Sequence, residues 1–299
     1  MRKDRSADPT EHLPNSYVSR RSTEAQGISA WTPPVGTLGE LTDEARARAA
    51  TLAPRAAELE RQARRAEAVP SFRDALRGEQ IGVIAEVKRS SPSKGDINPG
   101  LDLARQVRAY EAGGAAAISV LTEPTRFGGS TDDLVLARKS VALPLLKKDF
   151  HVDVAQILEA RSLGASAALV IVRAVPPARL KDLMKAAGDV GLEILVEVRD
   201  ERELDLALSI GADLIGVNNR NLETLEIDAG TSLRILPLIP RGVIAIAESG
   251  FKSAADLERV AGAGADAVLV GSEVSRAGDP EAAVRSLTGV MRTHGARKG

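Results

Sequence analysis

An acid and a base stand where a buried strand should end, Glu86 and Lys88 in Ile84-Ala85-Glu86-Val87-Lys88-Arg89. Side chains alternate along a strand, so Ile84, Glu86 and Lys88 share one face. A strand inside a parallel sheet is covered on both faces and reads as apolar. Charges at its end therefore need a reason, and an active site supplies one. The chain then enters Ser90-Ser91-Pro92-Ser93-Lys94-Gly95, a loop composition suited to closing around a ligand. Glu197 sits between Val196 and Val198. Either it is a carboxylate with restricted water, fitted to act as a general base, or it is a strand-end Glu paired with a structural Lys. Lys148, in Leu146-Lys147-Lys148-Asp149-Phe150, is either part of a site or a snorkelling side chain. Alternation turns Lys147 the other way, toward helices or solvent. Lys148, Lys88 and Arg220 together make a cationic pocket for a small acidic substrate. Ser249-Gly250 and Gly271-Ser272 suggest phosphate, because Gly lets backbone N–H groups approach an anion. Each pair alone is also a simple turn. His151 has no Ser or Asp arrangement around it that would make it catalytic.

These residues need elements to hold them. Eight short apolar runs, 81–87, 115–121, 143–146, 167–172, 193–198, 214–217, 243–247 and 267–270, alternate with amphipathic segments. Asp153 reads as a helix N-cap before Val154, Ile157 and Leu158. Glycines that suit a left-handed helix end recur in Gly113-Gly114, Gly164-Ala165, Gly211-Ala212 and Gly264-Ala265. The repeat of one βα unit predicts an α/β protein, a (β/α)8 TIM barrel preceded by a helical extension. A doubly wound sheet is the alternative. The absence of G-x-G-x-x-G after the first strand, and polar residues after several different strands, favour the barrel. Its geometry would gather the charged strand ends on one face, with the phosphate loops after strands seven and eight.

The expected organisation is a flexible polar tail over 1–38, a helical extension over 39–80 interrupted near Pro54, and the barrel over 81–299. Composition excludes several classes. The 299 residues carry a net charge of −1, which argues against nucleic acid and membrane surfaces as partners. Cys is absent and the three His are scattered, so no metal site is expected. No apolar run reaches spanning length and no signal peptide is recognisable, so a cytoplasmic protein is expected.

The ordered runs IAEVKRSSPSKG (84–95), LLKKDF (145–150), LVEV (195–198), GVNNRNL (216–222), AESG (247–250) and VGS (270–272) resemble the indole-3-glycerol phosphate synthase family. The resemblance extends from Phe72 to Ser272. It implies a cofactor-free barrel enzyme of tryptophan biosynthesis. Such a lyase turns 1-(2-carboxyphenylamino)-1-deoxyribulose 5-phosphate into indole-3-glycerol phosphate, carbon dioxide and water. By the same resemblance, Lys148 would be a general acid, Glu197 a general base, and Lys88 the partner of the substrate carboxylate. Glu86 would position Lys88, and Asn218 would join Glu86 in the catalytic set. Arg220, Ser91 and Phe150 would contact substrate, and Ser249, Gly250, Gly271 and Ser272 would hold phosphate. Association with other tryptophan-pathway enzymes is a further expectation. Two departures stand out: the N-terminal region is Ala-rich with Pro54 where the family has a Lys/Arg-Glu-rich helix, and Asn221 replaces an Asp. Competing readings are a phosphoribosylanthranilate isomerase-like barrel and a non-catalytic phosphate-binding barrel serving as a scaffold.

Overall fold

The apolar runs form eight parallel strands: β1 (Gly82–Val87), β2 (Ala117–Leu121), β3 (Leu145–Lys148), β4 (Ala167–Ile171), β5 (Glu193–Val198), β6 (Leu214–Asn218), β7 (Ile244–Glu248) and β8 (Ala267–Val270). The computed structural model describes residues 31–293 and Arg297. Each strand pairs with the next in sequence, and β1 closes on β8 with Gly82 opposite Ala267 and Ala85 opposite Val270. The result is a closed barrel, which removes the open-sheet alternative. The core is built mainly of Val, Ile, Leu and Ala, as the scarcity of aromatic residues requires, with Phe72 and Tyr110 the largest fully buried side chains in it. The third strand starts two residues later than its apolar run. Pro144 has no N–H for a ladder, so Leu143 and Pro144 form the approach to it.

Among the described residues, three helices precede the barrel: α1 (Gly36–Leu52), α2 (Ala56–Arg65) and α3 (Phe72–Ala75). A short 3-10 turn at Ala53–Arg55 interrupts the first two at Pro54. Helix α1 begins at Gly36, so residues 36–38, assigned to the tail on composition, lie in the helix. Leu38 and Leu41, one turn apart, are both buried, and this apolar pair anchors the helix start. Residues 1–30, the bulk of the expected tail, lie outside the described residues.

Between and after the strands run α4 (Leu103–Ala112), α5 (Thr131–Ser140), α6 (Val154–Ser162), α7 (Pro177–Val190), α8 (Glu201–Ser209), α9 (Gly230–Ile235), α10 (Ala254–Ala263), α11 (Ser272–Ser275) and α12 (Pro280–Arg285). Capping boxes open α5, α6 and α10. In the second, Asp153 accepts from the Ala155 N–H while Gln156 reaches back. Gly114, Gly164, Gly211 and Gly264 all have positive φ and end their helices in the manner their sequence context predicts. These local signals set where each strand begins, and hence which residues reach the barrel mouth.

Candidate active site

The C-terminal ends of the strands converge on a cavity of about 240 Å³. Its wall includes Glu86, Lys88, Ser91, Lys148, Phe150, Asn218, Arg220, Ser249, Gly250, Gly271 and Ser272. Eleven of the twelve site residues expected from sequence thus share one space. The twelfth, Glu197, lines an adjoining cavity of about 120 Å³, and Ile171, Arg220 and Leu222 border both. Glu197 nonetheless meets the others, because its Oε2 lies 3.6 Å from Lys148 Nζ. Asn218 Nδ2 donates to the other oxygen, Oε1, at 3.0 Å.

Lys148 is the centre of the arrangement. Its Nζ lies 3.5 Å from Glu248 Oε2 as well as facing Glu197. Burial pulls its pKa down, but Glu248, Glu197 and Glu86 pull harder, so the ammonium is held above its ordinary range. Burial and the neighbouring carboxylates push Glu248 upward against the pull of Lys148. On the neighbouring wall, Lys88 Nζ is 2.5 Å from Glu86 Oε1. Burial opposes ionisation of Glu86, yet Lys88 and Lys148 outweigh it and leave the carboxyl below its usual range. Three carboxylates and two ammonium groups therefore meet in the barrel mouth, where the proton affinities of Lys148 and Glu248 are pushed up and that of Glu86 is pushed down.

Glu248 is the residue that the sequence reading quoted without giving it a role. Its signal was present: Ile244, Ile246 and Glu248 alternate inward along β7 as Ile84 and Glu86 do along β1. Room for it comes from β6. A Cβ on Gly216 would lie 2.1 Å from Glu248 Oε1, so only glycine leaves that carboxylate in place.

The far wall of the cavity carries the Gly/Ser loops. Ser249 has φ of 70°, a sparsely populated conformation for a residue with a side chain, and Gly250 follows at 95°. Gly271 leads into α11, and Lys94 and Lys252 line the same region. Burial lowers the pKa of Lys94, with Glu273 opposing it. The apolar side is made by Phe127 and Phe150, whose ring centroids are 6.3 Å apart, together with Leu41, Leu222 and Ile227. Ser91 Oγ is buried at the cavity wall with no hydrogen-bond partner among the described residues. Arg220 is held by its Nη1–H donating to the Leu225 carbonyl at 2.8 Å.

Behind β3 lies a second polar cluster. Lys147 turns outward toward the helices, as alternation requires, and is fully buried there. Its Nζ is 3.5 Å from Asp149 Oδ2 and 3.3 Å from Glu159 Oε2. Arg48 of α1 reaches Asp149 at 2.7 Å, and Thr122 donates to the same carboxylate at 2.6 Å. His151 Nδ1–H donates to the Leu169 carbonyl at 2.7 Å, which leaves Nε2 facing Lys147. Arg48 was not among the residues expected from sequence, since nothing local to an Ala-rich helix announces a partner a hundred residues away. Among the described residues, no three His, Asp or Glu side chains converge as a metal centre would need.

Comparison with known proteins agrees with this geometry. A family model described as indole-3-glycerol phosphate synthase matches residues 40–287. The chain is 51% identical over 231 residues to an indole-3-glycerol phosphate synthase of Mycolicibacterium gilvum, covering 77% of this chain and 85% of the relative. It is 46% identical over 256 residues to the same enzyme of a Parafrankia species, covering 85% and 95%. Among solved structures, 3-hexulose-6-phosphate synthase from Salmonella typhimurium aligns with a TM-score of 0.55 at 17% identity, covering 69% of this chain and 96% of that one, a likeness of fold alone. With the family model spanning most of the barrel and relatives at half identity, the chain belongs to the indole-3-glycerol phosphate synthase family.

Proposed function

We propose that this barrel closes, decarboxylates and dehydrates 1-(2-carboxyphenylamino)-1-deoxyribulose 5-phosphate, with Lys148 as general acid and Glu197 as general base. The observation that carries this assignment is the position of Lys148 Nζ. It lies between Glu197 and Glu248, and shares a cavity with the Glu86–Lys88 pair. A protonated ammonium in that place is a donor for the substrate carbonyl. The ring carbon that bears the carboxylate attacks the carbonyl carbon, and the carbonyl oxygen takes a proton as it becomes a hydroxyl. The anilino nitrogen donates its lone pair as the ring loses aromaticity, and the iminium so formed is the electron sink for the next step. Loss of carbon dioxide returns the electron pair to the ring. The hydroxyl then leaves as water with a second proton from an acid, and a base takes up the proton released as the indole double bond forms.

Lys88 is suited to hold the substrate carboxylate until it leaves, with Glu86 fixing its position. Asn218 occupies one oxygen of Glu197 and leaves the other to work. Arg220, Ser91 and Phe150 orient the substrate. Ser249, Gly250, Gly271 and Ser272 take the phosphate, with Lys94 and Lys252 nearby adding positive charge. The rate advantage is one of orientation and preorganised charge. Two amino groups at one mouth divide between them the acid roles of ring closure and dehydration.

The test is to follow indole fluorescence after adding the carboxyphenylamino-deoxyribulose phosphate. Turnover by the full chain, lost in Lys148→Ala and Glu197→Gln with the fold intact, is expected. Binding without turnover would instead favour a scaffold role. We also infer a cytoplasmic location and association with other tryptophan-pathway enzymes, to be checked by fractionation and by co-purification with each of them. No described helix is long and apolar enough to cross a membrane.

A further inference from the structure

The short segment 271–275 touches the phosphate wall at one end and the acid–base machinery at the other. Its last residue, Ser275, is fully buried. The Ser275 hydroxyl donates to the Glu86 carbonyl at 2.7 Å and accepts from the Lys88 N–H at 3.1 Å. These are main-chain groups of the two residues whose side chains form the close ion pair. Tyr110 donates to the same carbonyl at 3.2 Å, and the Asn98 amide donates to the Ser275 carbonyl at 2.9 Å.

The reason for a serine there lies in the sheet. Pairing of β1 with β8 stops at Ala85 opposite Val270, while pairing with β2 continues to Val87. Beyond Ala85, the β8 side of β1 has lost its ladder partner, and its buried backbone groups need another. Ser275 supplies both a donor and an acceptor. At the other end of the segment, Gly271 abuts the side chains of the same pair. A Cβ there would lie 2.6 Å from Glu86 Oε1 and 3.0 Å from Lys88 Nζ. The span is closed on itself, since the Gly271 carbonyl accepts from the Ser275 N–H at 2.9 Å. A displacement at Gly271 and Ser272 is thus passed to Glu86 and Lys88 by contact and by hydrogen bond.

We propose that Ser275 is a positioning residue that couples phosphate occupancy at Gly271 and Ser272 to the alignment of Glu86 and Lys88. Binding energy from the non-reacting phosphate then serves turnover as well as affinity. The inference rests on the acid–base and phosphate assignments made above.

The experiment uses the full chain, the dephosphorylated substrate and inorganic phosphite as a separate dianion. In the unaltered protein, phosphite is expected to raise kcat/KM for the dephosphorylated substrate. Ser275→Ala should lose most of that activation. On the phosphorylated substrate it should lower kcat by about 10–100-fold, the scale of a small misalignment, with little change in KM. Tyr110→Phe removes a hydroxyl that lies 3.2 Å from the Glu86 carbonyl and 3.3 Å from Ser275 Oγ, but it leaves the Ser275 hydroxyl bridging Glu86 and Lys88, and should keep the activation. No phosphite activation in the unaltered protein, full activation in Ser275→Ala, or equal loss in Tyr110→Phe would each overturn the coupling. Should Ser275→Ala fail to fold, Ser275→Cys is judged by the same criteria. Failure to turn over even the phosphorylated substrate would instead count against the proposed function.

Discussion

At the scale of single residues, the two adjacent lysines of β3 have opposite fates. Lys148 enters the barrel mouth and Lys147 enters the layer between barrel and helices. Lys148→Ala should lower kcat by about 10²–10⁴-fold, the usual worth of a general acid, with little loss of melting temperature. Lys147→Ala should do the reverse. It removes a cation from Asp149 and Glu159, and should cost about 1–3 kcal/mol in urea unfolding while the surviving folded enzyme turns over. If Lys147→Ala abolished turnover and Lys148→Ala did not, the assignment would be inverted. The same cluster predicts a pH dependence. Burial, and then Lys147, push the His151 pKa down to about 3. Between its ordinary value of 6.5 and about 3, the unfolded chain binds a proton at this residue that the folded chain does not. Stability should therefore rise with pH across that window, by up to about 1.4 kcal/mol per pH unit from this one group. His151→Gln should flatten the slope of unfolding free energy between pH 4 and 6. An unchanged slope would show that other groups produce it.

At the scale of elements, the strands position charged side chains by alternation, and that is why the gathering of much of the candidate site was legible in sequence. Glu86, Lys148 and Glu197 stand at inward positions of β1, β3 and β5, and Lys88 follows β1 directly, at strands whose apolar runs were plain. What was not legible depends on contacts between distant elements. The importance of Glu248 follows only once β7 is seen beside Gly216 and opposite Lys148. Arg48 needs α1 docked against the end of β3 before its partner Asp149 is apparent. The start of α1 was placed late because a polar lead-in hides the Leu38–Leu41 pair. Two expectations follow. Gly216→Ala should force Glu248 out of its place and reduce kcat by about tenfold or more, at a stability cost of about 1–3 kcal/mol from overpacking. A structure of that variant with Glu248 unmoved, and kcat unchanged, would refute the close-approach argument. For α1, a chain starting at residue 43 should have a higher KM and lower melting temperature than one starting at residue 33. Thr37 and Leu41 line the cavity, and the buried Leu38 lines the adjoining one. Equal behaviour of the two chains would mean that the helix start contributes nothing to the site.

At the scale of the whole molecule, the barrel has two distinct ends, the candidate site at the C-terminal mouth and a network of closing bonds at the N-terminal one. Asp266, at the entry to β8, is the centre of the second end. Its Oδ2 accepts from the Ala245 N–H at 2.8 Å and lies 2.9 Å from Arg297, while Arg292 binds the other oxygen. The C-terminal segment is stitched across the same end, where the Val290 carbonyl accepts from the Ile81 N–H at 2.8 Å and the Arg292 N–H donates to the Glu79 carbonyl at 2.9 Å. These bonds join β1, β7 and β8, the strands that close the barrel, through a carboxylate that is almost fully buried. Removing one member of a buried charged set leaves the others unpaired, which costs about 3–5 kcal/mol. Asp266→Ala should therefore lower stability by that order, and Arg292→Ala by less, because Arg297 remains. Neither should change kcat or KM in the folded protein, since both lie at the end of the strands remote from Lys148. Ser275→Ala provides the contrast, with a loss in kcat that neither of those two variants should show. Calorimetry and steady-state kinetics on the three variants separate the two ends. If Asp266→Ala lowered kcat in proportion to its stability loss, the barrel would be transmitting strain from its floor to its mouth, and the division of labour between the ends would not hold.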